Sequence, residues 1–109
     1  MTSICRRRHE DGTRTLRDYR QELFTGFEQS QVRSESSPPP ALRAAGEERL
    51  LSLVDARADG SALVMKLLQV RRGGCLYDLL LVAREALFPI HEAEFDRFVG
   101  EFKTAASER

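Results

Sequence analysis

A chain of 109 residues has room for one hydrophobic core and no second. With 41% hydrophobic residues it is not compositionally disordered, and its 17 basic residues balance 17 acidic ones. That balance gives no general electrostatic reason to expect nucleic acid or an anionic membrane as partner, and no run approaches the ~20 apolar residues that span a bilayer.

The opening "MTSICRRRHE" lacks the apolar stretch of a secretory signal. Read literally, the chain stays in the cytoplasm; an upstream signal or lipobox would send it to the cell envelope instead. "TSIC" reads as the end of a short strand. The run Arg6, Arg7 and Arg8 has no interleaved aromatics, so a solvated basic patch is expected. Leu16, Tyr19, Leu23, Phe24 and Phe27 then fall on one helical face. The spacing predicts a helix over 13–25, capped by Asp11 or Thr13 and ended by Gly26.

A polar segment follows, with Pro38, Pro39 and Pro40 at its centre. Proline cannot donate to a strand ladder, so any strand over 31–35 must stop there or lie at an edge. Three extended runs come next: 49–57, 62–70 and 75–83. Asp59-Gly60 and Gly73-Gly74 punctuate them, and such short turns predict an antiparallel meander. The second and third runs are apolar on nearly both faces, as expected near a sheet centre.

Pro89 is placed just before a closing helix, with Glu92, Glu94 and Asp96 in its first turns. Phe95, Phe98, Val99 and Phe102 form a stripe expected to pack on the sheet. The fold class is therefore α+β, an antiparallel meander packed by an N-terminal and a C-terminal helix. It forms a single domain over 1–105, with 106–109 as a frayed tail.

Chemistry-bearing residues are few. Cys5, His9, Cys75 and His91 are the only soft or imidazole ligands, and no compact second pair completes the Cys5/His9 spacing. No metal or other cofactor is expected. Arg71 and Arg72 precede Cys75 and could lower its pKa, yet no motif fixes a base beside it. Phosphate-binding and hydrolase motifs are absent from the sequence. Asp78 stands out in "CLYDLLLVA". Alternation puts it on one face with Leu76, Leu80 and Val82, while Cys75, Tyr77, Leu79, Leu81 and Ala83 share the other. A buried carboxylate needs a donor, and Lys66, Gln69, Arg71 and Arg57 are within reach of the predicted sheet.

The run from Asp55 to Phe102, with Ala56, Asp59, Gly60, Cys75, Tyr77, Asp78, Val82, Ala83, Phe95, Phe98, Val99 and Phe102, resembles a group of small bacterial proteins common in deltaproteobacteria, often predicted lipoproteins. "SICRRRHEDGTRTLRDYRQELFTGF" fits the same group's Cys-containing first strand and following helix. The lipobox expected in many of that group is not in this chain, and three prolines stand where a more regular strand and turn are expected.

The resemblance implies a Mog1/PsbP-like α/β/α sandwich, a fold whose other members act as accessory or docking proteins. It also implies that Cys5 ends the first strand near Cys75, so that the two could bond in an oxidising compartment. The expected function is a non-enzymatic accessory or interaction domain with an unknown protein partner, its oligomeric state open. Asp78, Tyr77 and Arg71 are its candidate contacts. The alternative is a small-ligand module with a pocket between the sheet and the 28–48 loop, anchored by Asp78 or Tyr77. An enzyme would instead need a histidine beside Cys75 or Asp78.

Overall fold

The computed structural model describes residues 7–8, 14–37, 46–72 and 75–101. In chain order they form β1 (Arg7–Arg8), α1 (Leu16–Leu23), β2 (Gln29–Ser36), β3 (Glu48–Ala58), β4 (Ser61–Arg72), β5 (Cys75–Arg84) and α2 (Phe88–Glu101). The class is α+β. Strand order is β1-β5-β4-β3-β2 with antiparallel neighbours throughout, so β2 to β5 are a meander and β1 joins it on the far side. The first described strand lies at Arg7–Arg8, so two arginines expected in a solvated run have sheet backbone. Cys5 and Pro38 to Pro40 lie outside the described residues, as do Gly73-Gly74 and the tail from 102.

The β3–β4 hairpin forms as its sequence demands. Asp59 and Gly60 have φ of 51° and 77°, the two left-handed positions of a type I′ turn, and Ala58 pairs with Ser61 across it. From that turn the ladder runs unbroken to Glu48↔Arg71.

Pleating gives the sheet two apolar faces, and each receives one helix. On the first, Leu16 and Tyr19 of α1 pack with Leu50 and Leu76, and Phe24 packs with Val54, Ala56, Met65 and Leu67. On the second, Phe95 of α2 joins Leu68, Val70, Tyr77 and Leu79, while Phe88 meets Val64 and Ala83. This is why β4 is apolar on both faces.

Both helix ends differ from expectation. Thr15, not Asp11 or Thr13, caps α1: its hydroxyl accepts from the Asp18 N–H at 3.1 Å, and the Asp18 carboxylate accepts from the Thr15 N–H at 2.9 Å. The helix stops at Leu23 with Phe24 as its C-cap; Gly26 is not among the residues with positive φ and supplies no left-handed cap. At the other end α2 begins at Phe88, so Pro89 sits inside its first turn, where a missing N–H costs nothing. The early start removes Glu92, Glu94 and Asp96 from the first turn. Two of them meet the sheet instead: Lys66 Nζ donates to Glu92 Oε2 at 3.0 Å and Asp96 Oδ1 at 2.7 Å. The expected stripe is also rotated. Phe95 is buried and Val99 half-buried, but Phe98 is 39% exposed; Phe102 lies outside the described residues.

Candidate functional site

The three residues singled out from sequence do not converge. Register places Asp78 opposite Gln69 and Tyr77 opposite Val70. Asp78 and Arg71 therefore belong to the α1 face, while buried Tyr77 belongs to the α2 face, in the cluster around Phe95. Arg71 is spent on structure: its guanidinium donates to Glu48 and, at 2.6 Å, to the Arg14 carbonyl at the entry to α1.

The donors proposed for Asp78 also sort out. Lys66 points to the opposite face, and Arg57 lies towards the far hairpin, where it donates to the Gly60 carbonyl at 3.1 Å. Gln69 and Arg71 remain on the correct face. Gln69 is fully buried, and its Nε2 donates to the Leu16 carbonyl at 2.9 Å.

Of the 28–48 segment the structure describes 28–37, which is mostly strand β2, and 46–48, which leads into β3. Strand β2 is separated from β5 by β3 and β4, a distance of roughly 14 Å at ~4.8 Å per strand. Two open clefts of about 720 and 600 Å³ flank β2, lined among others by Arg33, Asp55 and Arg57 and by Arg17, Arg20 and Phe24 respectively. Asp78 and Tyr77 line neither of these two clefts, and residues 38–45 of the segment lie outside the described residues.

Asp78 lines a different groove, of about 460 Å³, along the outer side of β5 beneath α2. Leu79, Leu80, Leu81, His91, Glu94, Phe95 and Phe98 complete it. Here the strand departs from the buried centre its composition predicts. Leu76 is fully buried, yet Leu80 and Val82, further along the same face, are each 44% exposed. The physical reason is the length of α1. Its eight residues reach Leu76 and then cross towards Val54, leaving the end of β5 uncovered by it. On the other face Phe98 stacks against Phe95 at 6.4 Å and stays partly in solvent. Exposed apolar side chains thus lie on both sides of one strand edge. Sequence alternation located these residues but could not show where α1 ends.

Charges elsewhere serve the scaffold. Glu35 holds Arg17 at 2.9 Å and Arg20 at 2.6 Å, and hydrogen bonds from Arg20 and then Arg17 lower its pKa. Asp18 is also lowered, chiefly by the Thr15 backbone hydrogen bond of the cap. Burial alone would depress Lys66, but its bonds to Asp96 and Glu92 outweigh this and leave the ammonium raised. Buried Glu47 lies between Arg49 and Arg72 at the entry to β3.

Cys75 is disulfide-bonded, so its sulfur is no free nucleophile; Cys5, the partner implied by the resemblance, lies outside the described residues. Among the described residues no three His, Cys, Asp or Glu side chains gather as metal ligands would, and no helix is long and apolar enough to cross a membrane. No protein-family model, curated protein or solved structure matches this chain.

Proposed function

We propose that this chain is a non-enzymatic accessory or interaction domain that docks protein on the exposed apolar surface between the end of β5 and α2. The observation that carries the reading is the exposure of Leu80 and Phe98 at one groove, with Val82 exposed further along β5. Exposed apolar side chains gathered in one place mark surfaces that bind protein partners. Glu94 at the groove is then a polar contact for the docked protein, while Asp78, both of whose carboxylate oxygens are buried, belongs to the groove's floor. Helices on opposite faces of one antiparallel sheet support the α/β/α arrangement implied by the resemblance, and with it an accessory role.

Immobilised full-length chain should retain protein from native lysate, and Leu80→Lys with Val82→Lys should abolish retention while circular dichroism stays unchanged. Equal retention by the double variant would sink the reading.

A further inference from the structure

Helix α2 carries acids on two of its sides, and only one side is spent. Glu92 and Asp96 meet Lys66 of the sheet, which donates to both. Glu94 and Glu101 lie on the opposite flank, in line with Ile90 and Phe98 at helical spacing. All four of these side chains are exposed, Ile90 by 64%. Among the described residues neither Glu94 nor Glu101 has an ion-pair partner, in contrast to Glu92 and Asp96.

That flank is one wall of the groove of about 460 Å³. Leu79, Leu81 and Phe95 form its apolar base, while Leu80 and Phe98 stand exposed beside them. Asp78, with its oxygens buried, belongs to the base and offers no exposed charge. Among the described residues Glu94 is therefore the exposed carboxylate of the lining, and no lysine or arginine lines it. Arg97 lies two positions from buried Phe95, on the far side of the helix, and Arg84 lies beyond Val82. A cavity of ~150 Å³ holds one benzene-sized group, so this groove admits roughly two or three bulky side chains.

We propose that the partner docked here is a basic amphipathic segment of another protein. Its bulky apolar side chains enter the groove, and its lysines or arginines meet Glu94 and Glu101. The proposal rests on the interaction reading above and names the chemistry of the partner. Two features of the site select that chemistry. The apolar base and walls reward a segment with large apolar side chains on one face, the usual way an amphipathic helix fills a groove. The unspent carboxylates then choose among such segments. Docking removes water around them, which strengthens their pairing with a cation and makes an anionic segment costly. The same carboxylates disfavour an anionic bilayer, because a surface that binds one sets lysine and arginine beside its apolar side chains.

The test is fluorescence anisotropy of three labelled synthetic peptides titrated with the full-length chain. The first is an amphipathic helix of leucine and lysine, the second has glutamate for lysine, and the third has serine for leucine. The leucine–lysine peptide should bind at least about tenfold more tightly than either of the others, and added salt should narrow its lead over the leucine–glutamate peptide. Glu94→Lys with Glu101→Lys, at exposed positions and with circular dichroism unchanged, should reverse the order of the lysine and glutamate peptides. Leu80→Lys should weaken binding of the leucine–lysine peptide. No binding of that peptide, or equal binding of the leucine–glutamate peptide, would overturn the proposal, as would an order the double variant leaves unchanged. Capture of the chain by vesicles of phosphatidylcholine and phosphatidylglycerol in place of the peptide would assign the groove to lipid and overturn it too. Retention of protein from lysate that survives Glu94→Lys with Glu101→Lys but is lost with Leu80→Lys and Val82→Lys would overturn the basic-segment assignment and leave the interaction reading standing.

Discussion

Gln69 faces Asp78 across the β4–β5 ladder, and the same glutamine donates through Nε2 to the Leu16 carbonyl at 2.9 Å. One fully buried amide therefore fixes the start of α1 over the sheet while standing next to a carboxylate. Gln69→Glu would place an acceptor opposite the Leu16 carbonyl and a second carboxylate beside Asp78. We expect a loss of about 3 kcal/mol or more, against about 1–2 kcal/mol for Gln69→Leu, which removes a donor but adds no charge. Urea denaturation of both variants checks the order; equal losses would mean that the amide does not orient α1.

Leu76 and Leu80 share one face of β5 but not one environment, the first fully buried and the second 44% exposed. Leu76→Ala should cost about 2–5 kcal/mol and Leu80→Ala no more than about 0.5 kcal/mol, measured by denaturation of dilute protein. Similar losses at the two sites would show that the end of β5 is covered.

These two leucines also mark what the sequence could and could not convey. Period-two alternation assigned both to the face shared with Asp78, and Asp59-Gly60 located the hairpin, because turn chemistry and pleating are local. Helix placement is not local. The Thr15 cap shortens α1, and the Phe88 start rotates α2, turning Phe98 outward and sending Glu92 and Asp96 to Lys66. The separation of Tyr77 from Asp78 was implicit in alternation all along; that Arg71 is consumed by Glu48 and the Arg14 carbonyl required the three-dimensional packing.

Lys66 joins sheet and helix through Glu92 and Asp96. Lys66→Met keeps the aliphatic stem but leaves two carboxylates facing each other on α2, and should destabilise the fold by about 1–2 kcal/mol at neutral pH. The deficit should shrink below pH ~4, where the carboxylates are protonated. In the wild type the raised Lys66 pKa has the opposite window: its contribution is complete below the ordinary 10.5 and lost as pH rises through the folded value. A deficit that does not change between neutral and acid pH would contradict this pairing.

Asp18 and Glu35 have depressed pKa values, so each stabilises the fold above its ordinary value of 3.8 or 4.5 and loses that contribution as pH falls further, towards the folded value. The melting temperature should fall on acidification below pH ~4.5, and Glu35→Gln should make that fall shallower. An identical acid limb in the variant would remove Glu35 from the account.

The exchange of backbone amides with deuterium, compared between the free full-length chain and the chain saturated with the protein it retains from lysate, tests the central claim most directly. Docking at the exposed apolar end of β5 predicts slower exchange over Leu80–Arg84 in the complex, with the amides of Gln29–Ser36 in β2 unchanged. Exchange over Leu80–Arg84 that does not change on binding, or protection appearing at Gln29–Ser36 instead, would contradict it.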